Sequence, residues 1–485
     1  MRYRRLLASA ILGVGLAPVA AHGQATPDGA AALQIDLKRL VAGWLRPVSG
    51  IVDVLFDSGI TVTAEGDRYR VDVPRLEIVN ADIARVRMGD VHFTMQPTGP
   101  GQYGLAGTGP IRSDTRTPDG TVVGWASIAA SDWTAELDLN TGWLTGYAFR
   151  GQDYFEGFFD GGSRSIDVVE SSIGYEPMGQ GFARIAGDLT YQGFESIDVA
   201  FDVHQTIGTI RAEWAFAGVN PAAVIRLIGA MPELAGPLSP SSEDWESFLD
   251  AVRQALGDAP ALFDSADFRY LVEDTWVDAP GERVEVGVID GGCALSGFAA
   301  AISDADCDLA MRDLAFAPMP FEAYEFVPSD IRIDASVARL PRVAIIDAIA
   351  LALEERTLLG EEQAAAVAGE AIALAMAAAQ SEITLRDFSM AAPAYTIAVQ
   401  GSVRMAPQSP VGIAAEAVVT LGRVEELRRL VAGAAQSDAD VRMLNIMLAF
   451  GIQDVDADNN PVVRFELELT EAGTATVNEV DLGPL

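Results

Sequence analysis

Three similar segments decide the fold: TIRAEWAFAGVNPAAVIRLIG at 209–229, DIRIDASVARLPRVAIIDAIA at 330–350 and GIAAEAVVTLGRVEELRRLVA at 412–432. Each begins with apolar and polar residues in alternation, which predicts a strand with one face on a core and one toward water. A Gly or Pro follows, and apolar residues then recur at the spacing of an amphipathic helix. The segments therefore predict an internal repeat of a strand–helix unit. The alternative is three ordinary strand–helix junctions in an alanine-rich chain.

Residues 60–216, which run into the strand of the first copy, consist mainly of strand-forming runs separated by turn-forming clusters. Turns such as Gly66-Asp67 and Pro118-Asp119-Gly120 join antiparallel strands into hairpins. The runs at 122–129 and 131–139 are predicted as two separate strands. The whole pattern predicts an α+β, β-rich fold, with long curved antiparallel sheets and amphipathic helices that follow the repeated strand–helix unit.

The first 25 residues have the composition of an export leader. A positive start with Arg2, Arg4 and Arg5 precedes a short apolar run, Leu6–Val19, and then small residues. This order is typical of a cleaved signal peptide and predicts a periplasmic protein. No later run reaches the length of a membrane-spanning helix, so we expect no integral membrane segment after leader cleavage.

We expect five parts along the chain. They are a signal peptide (1–25), an N-terminal helical segment (26–57), a β-rich lobe (58–235), a linker with a short helix (236–262) and a second α+β lobe (263–485). The N-terminal segment reads as helix from Ala30 to Phe56, with a break at Pro47. Its apolar stripe comprises Leu37, Leu40, Val41, Trp44 and Leu45. We expect this helix to cap one end of a sheet, with docking under the body or contact with a membrane as the alternatives.

Charge excludes several partners. The 485 residues carry a formal net charge of −36, and Lys38 is the only lysine. Such an acidic chain does not bind nucleic acid or anionic lipid headgroups by charge alone. Because 49% of the residues are hydrophobic, the chain also has ample material for a folded core.

Two cysteines, Cys293 and Cys307, lie 14 residues apart. In an oxidising compartment such a pair most simply forms one disulfide. A redox-active dithiol and a metal site are the alternatives, but the CxxC spacing is absent and no His lies nearby.

The segment Asp454-Val455-Asp456-Ala457-Asp458-Asn459 matches the first half of a calcium loop, with Asp454, Asp456 and Asp458 at the first three ligand positions. The sixth position, normally Gly, is Asn459, and the twelfth, normally Glu, is Phe465. An acidic turn between a helix and a strand is the alternative interpretation.

Aromatic side chains are densest at 147–159, where the chain carries Tyr147, Phe149, Tyr154, Phe155, Phe158 and Phe159. Such a cluster is usually core, or pairs across strands of a hairpin. It also suits the lining of a groove for an apolar ligand, and Tyr147, Phe149, Phe155, Phe158 and Phe159 are the candidate ligand-binding residues.

The stretch SEITLRDFSMAAPAYTIAVQGSVRMAP (381–407) and the closing stretch PVVRFELELTEAGTATVNEVDLGPL (461–485) resemble uncharacterised alphaproteobacterial envelope proteins grouped as domain of unknown function 2125. More loosely, the chain is similar to AsmA-like proteins, whose strands stack into long grooves implicated in lipid traffic. The resemblance implies a β-groove protein of the envelope. It assigns no functional residues.

Three functions remain open at this point. The first is non-enzymatic binding of a hydrophobic or lipid-like ligand in a β-sheet groove, favoured by the amphipathic strands and by the resemblance. The second is an envelope scaffold with a filled core, an envelope protein partner and no small ligand. The third is a hydrolase with an unrecognised site. Because the chain has no nucleophile elbow, HExxH or phosphate loop, we expect no enzyme and no cofactor.

Overall fold

The computed structural model describes residues 25–45, 53–56, 59–74, 76–80, 84–117, 119–224, 257, 262–319, 324–434, 438–456 and 459–484. The chain divides into two compact units, unit 1 (residues 1–263) and unit 2 (residues 264–485). Nearly all of the predicted leader and the predicted short helix Trp245–Leu256 lie outside the described residues.

Within its described residues, unit 1 comprises one full helix and a series of antiparallel strands. They are α1 (Pro27–Leu45), β1 (Asp53–Phe56), β2 (Thr61–Glu65), β3 (Arg68–Val73), β4 (Leu76–Asn80), β5 (Ala84–Met88), β6 (Val91–Gly99), β7 (Gln102–Arg116), β8 (Val122–Asp138), β9 (Trp143–Phe158), β10 (Ser163–Gly179), β11 (Phe182–Asp198) and β12 (Val203–Val219). Along one edge, the start of β7 pairs with β6 and its end with β5. The ladder runs on from β6 to β3 and β2, and from β5 to β4 and β1. Along its other edge, β7 pairs with β8, and the pairing continues in chain order to β12.

Helix α1 starts where its sequence provides a cap. The Thr26 hydroxyl accepts a hydrogen bond from the Gly29 amide at 3.0 Å, Pro27 occupies the first helical position and Asp28 lies in the first turn. Each of these three residues is favoured at its position near a helix N-terminus. Leu33, Leu37 and Leu40 then form a buried stripe that packs on the sheet. We expected this helix to cap one end of a sheet; its apolar stripe instead packs on side chains along the sheet of unit 1. Its predicted extent to Phe56 is wrong, because α1 ends at Leu45.

Two strand predictions in unit 1 need correction. The runs at 122–129 and 131–139 form the single strand β8, because Ile128 and Ala130 both pair with β9 and the chain does not turn between them. Residues 53–56 form β1, a strand that pairs with β4, and not the end of the helix. The predicted turn at Gly66-Asp67 falls between β2 and β3, and the described residues Asp119 and Gly120 of a second predicted turn fall between β7 and β8.

Unit 2 contains strands interrupted by two helix pairs. The elements are β13 (Ser265–Ala279), β14 (Glu282–Ser296), β15 (Ser303–Ala317), β16 (Asp330–Leu340), α2 (Arg342–Leu359), α3 (Glu361–Ala379), β17 (Glu382–Ala391), β18 (Thr396–Met405), β19 (Ile413–Gly422), α4 (Val424–Ala434), α5 (Asp438–Phe450), β20 (Ile452–Val455), β21 (Pro461–Leu469), β22 (Thr474–Val477) and β23 (Val480–Pro484). Strands β13 to β19 pair antiparallel in chain order, and β19 pairs with β21. The far edge of β21 pairs with β20 and β22, and β22 pairs with β23.

The repeated segments take corresponding structures. The second copy forms β16 and then α2, and the third forms β19 and then α4. The first copy forms the end of β12 and a helical turn at 221–224, after which the chain lies outside the described residues. Gly218 and Arg339 hold the same place in the first two copies, and both have positive φ, 66° and 61°. The predicted fold class, β-rich and antiparallel with a few helices, is confirmed.

Candidate ligand-binding site

A cavity of about 260 Å³ lies between α1 and the sheet of unit 1. On the helix side it is lined by Leu37, Leu40 and Val41. On the sheet side it is lined by aliphatic and aromatic side chains of β3 and β6 to β9, among them Phe93, Leu105, Trp133, Ala135 and Tyr147. No lining residue carries a formal charge, so the cavity suits an apolar guest.

The size of this cavity sets the size of ligand that it could take. An engineered apolar cavity of about 150 Å³ stays dry and binds benzene. The 260 Å³ beneath α1 therefore has room for an apolar ligand larger than benzene.

From the cavity, the apolar face of the sheet continues across the later strands. Trp133 lies directly opposite Phe149, and Ala135 lies directly opposite Tyr147. Since directly opposite residues share a face, the register carries this face on to β10, β11 and β12. The side chains that continue it are Ile173, Ile185, Leu189, Tyr191, Ile210, Trp214 and Phe216. These side chains are mostly half-buried.

Halfway along β9 the backbone is kinked at Asp153, whose φ is 52°. Positive φ is uncommon outside Gly, Asn and Asp. The kink switches the alternation of side chains. A Cβ atom on Gly151 would meet both Phe149 and Ile128, and Ile128 lies directly opposite Tyr154. Phe149 and Tyr154 therefore share the apolar face, although an odd spacing of five positions would place them on opposite faces of a regular strand.

Burial of this face alters the tyrosines on it. Burial raises the pKa of Tyr147 and Tyr191 above the ordinary phenol value. Burial, with a further contribution from the Glu156 carboxylate, raises the pKa of Tyr154 to about 12. These hydroxyls stay protonated at neutral pH and present no charge to an apolar guest.

The structure divides the predicted aromatic cluster. Tyr147 lines the cavity, and Phe149 lies beside it with the two ring centroids 6.5 Å apart. Phe155 points to the opposite face of the sheet, where it stacks on Trp125 at 4.8 Å. Phe158 lies under the Arg164 guanidinium at 5.4 Å, and Phe159 is 74% exposed in the following turn.

Two aromatic residues of the sheet that line the cavity were not among the predicted ligand-binding residues. Phe93 and Trp133 line the cavity, with ring centroids 5.4 Å apart. The alternation of Trp133, Ala135 and Leu137 does predict a shared apolar face. It does not indicate that α1 covers that face incompletely.

In unit 2, Cys293 of β14 and Cys307 of β15 are direct partners in the ladder. Their Sγ atoms lie 2.22 Å apart, which is disulfide-bonding distance. The pair joins two neighbouring strands of the sheet.

The residues of the predicted calcium loop lie on and after β20. Asp454 lies 3.8 Å from the Arg464 guanidinium. The Asp456 carboxylate accepts hydrogen bonds from the amide and the side chain of Asn460, at 2.8 and 2.9 Å. Asp458 lies outside the described residues. Within the described part of the chain, no three His, Cys, Asp or Glu residues are grouped so that they could hold a metal ion.

Unit 2 also contains a larger groove of about 630 Å³, which runs across β14 to β19 and β21. Its lining mixes apolar side chains with charges, including Asp290, Asp308, Arg312, Asp330 and Arg332. Because charged side chains keep such a groove hydrated, it is a poorer candidate for an apolar ligand than the cavity beneath α1.

Comparison with protein-family models found no match, and a search of curated proteins found none either. None of the helices in the described ranges is both long and apolar enough to cross a membrane.

Proposed function

We propose that the protein binds a hydrophobic ligand with acyl-chain character, without catalysis, in the cavity between α1 and the sheet of unit 1. The observation that supports this most directly is the 260 Å³ cavity with its wholly uncharged lining. The resemblance to AsmA-like β-groove proteins points to the same kind of ligand. The leader sequence and the cysteine pair support the periplasm as the compartment.

The lining also favours binding over catalysis. It offers no carboxylate, imidazole or thiol to act as general acid, general base or nucleophile. Among the described lining residues the Tyr147 hydroxyl is the only titratable group, and burial raises the pKa of that hydroxyl. Binding of an apolar chain would then depend on surface removed from water, at about 25 cal/mol per Å².

The test is to occupy the cavity from within. Ala135→Phe places a ring in the space that the ligand would take, because Ala135 is 6% exposed and lines the cavity. Ala148→Phe is the matched control. Ala148 follows Tyr147 in β9, but its side chain is exposed on the face of the sheet away from the cavity. Ala135→Leu is a smaller filler for the case in which the ring unfolds the protein.

Two measurements apply to each variant of residues 26–485, purified from the periplasm without detergent. Native mass spectrometry with solvent extraction detects a co-purified ligand, and titration with cis-parinaric acid detects binding of an added acyl chain. We expect both signals for the wild type and for Ala148→Phe, and neither for Ala135→Phe. A wild type without either signal would refute the proposal and favour the envelope scaffold with a filled core.

A further inference from the structure

Two adjacent hairpin tips carry the two most exposed large apolar side chains among the described residues of unit 1, Phe159 and Phe201, together with the exposed Val199. Phe159 is in the turn between β9 and β10, and Val199 and Phe201 are in the turn between β11 and β12. Their exposed fractions are 74%, 54% and 73%. The tips are neighbours because β10 and β11 pair. A Cβ atom on Gly161 would lie 3.5 Å from the Val199 side chain.

Both tips are held in shape by carboxylates. Asp160 accepts a hydrogen bond from the Gly162 amide at 3.0 Å. Asp198 accepts hydrogen bonds from the amides of Ala200 and Phe201, at 3.0 and 3.3 Å. Backbone amides at the tips thus have partners within the protein, which lowers the cost of moving them into a less polar medium.

We propose that these tips dock on a zwitterionic phospholipid surface, with Phe159, Val199 and Phe201 at headgroup depth. Aromatic rings are favoured at this level of a bilayer. Asp160 and Asp202 lie in these turns and Asp198 lies at the end of β11, so the tips carry negative charge that the ammonium groups of choline or ethanolamine lipids would complement. This combination of protruding rings and carboxylates matches a surface that offers both cations and acyl chains.

Other occupants fit the same observations less well. An anionic bilayer would repel three carboxylates at the tips and a chain of net charge −36. A protein partner would bury the carboxylates of Asp160 and Asp198 beside the rings, and Asp is depleted from the cores of protein interfaces. The proposal stands whether or not the cavity beneath α1 binds a ligand.

The test is flotation of the full mature chain with phosphatidylcholine vesicles. The double variant Phe159→Ser/Phe201→Ser removes both rings at positions that are about three-quarters exposed, so the fold should survive. Phe182→Ser is the matched control, because Phe182 is 41% exposed at the opposite end of β11. Unchanged circular dichroism establishes that each variant is folded.

We expect the wild type and Phe182→Ser to float equally. Each lost ring should weaken partitioning by about tenfold, and the pair by about a hundredfold. Added phosphatidylglycerol should reduce binding of the wild type. Equal flotation of the double variant, or stronger binding to anionic vesicles, would overturn the proposal. A wild type that floats with neither composition would also overturn it and leave a protein partner as the occupant of the tips.

Discussion

The contact between α1 and β3 predicts the outcome of an unusual glycine substitution. Gly29 is the third residue of α1, and a Cβ atom there would overlap the Tyr69 hydroxyl. Tyr69 is only 3% exposed, and its hydroxyl accepts a hydrogen bond from the Thr26 amide at 3.4 Å. The ring therefore cannot move away without disturbing the N-terminus of the helix.

Two effects of Gly29→Ala oppose each other. Alanine in place of glycine stabilises a helix by about 0.5–1 kcal/mol. Forcing a methyl group into a packed contact costs about 1–3 kcal/mol. The cost of the overlap should exceed the gain in helix propensity, and we expect a net loss of about 1 kcal/mol in the free energy of unfolding. Gly369→Ala in α3 is the matched control, because Gly369 has open space around its Cα. That variant should gain up to about 1 kcal/mol.

Equilibrium unfolding in urea, followed by circular dichroism and tryptophan fluorescence, measures both changes. Tyr69→Phe removes the overlapping hydroxyl at the cost of one hydrogen bond, about 1 kcal/mol. In the Tyr69→Phe background, Gly29→Ala should therefore become neutral or stabilising, a coupling that a double-mutant cycle isolates. If Gly29→Ala stabilises the wild type as much as Gly369→Ala does, α1 does not pack on Tyr69 as described.

Three further predictions concern single contacts. Cys293→Ala/Cys307→Ala should lower the free energy of unfolding of unit 2 by about 3 kcal/mol, because the cross-link restricts the unfolded chain by closing a loop between residues 14 positions apart. An unfolding midpoint that neither the substitution nor a reductant changes would contradict this. Gly187→Ala should destabilise unit 1 by about 1–3 kcal/mol and shift tryptophan emission, since the new Cβ would lie 2.6 Å from the Trp214 ring; unchanged emission and stability would count against that packing. Partial burial raises the pKa of Asp72, but hydrogen bonds from Arg70 and His92 outweigh it and hold this pKa below its ordinary value of 3.8. Asp72 therefore stabilises the fold fully above about pH 4 and less as the pH falls through its lowered pKa. Asp72→Asn should flatten the acid limb of the stability curve, and an identical acid limb would argue against the pairing.

Local chemistry made some of the fold predictable. Turns depend on a few neighbouring residues, and the clusters at Gly66-Asp67 and Asn140-Thr141-Gly142 do form turns. The stripe of Leu37 and Leu40 depends only on helical spacing, and both are buried. Strand length was less predictable, because pairing of Ile128 and Ala130 with β9 carries β8 past Ala129, where the alternation of the sequence fails.

The site depended on contacts that no local pattern encodes. Leu40 and Trp133 line one cavity although they lie far apart in the sequence. The aromatic cluster was judged by its density alone, and density does not distinguish the two faces of a strand. Tyr154 and Phe155 are neighbours in β9, so their side chains point to opposite faces. Only Tyr147 of the predicted ligand-binding residues lines the cavity.

Strand β9 connects the two proposed functions through its kink. Tyr147 and Phe149 are odd-numbered, whereas Tyr154 and Phe158 are even-numbered, and a regular strand would place these pairs on opposite faces. Positive φ at Asp153 reverses the alternation between the pairs, so that all four rings lie on one face. At about 3.3 Å per residue, this face extends roughly 40 Å from the cavity beneath α1 to the exposed tip. Between Tyr154 and Phe158 it also carries the ion pair of Glu156 and Arg164. A ligand taken from a membrane at the tip would therefore have to pass this ion pair before it reached the apolar part of the face that leads to the cavity.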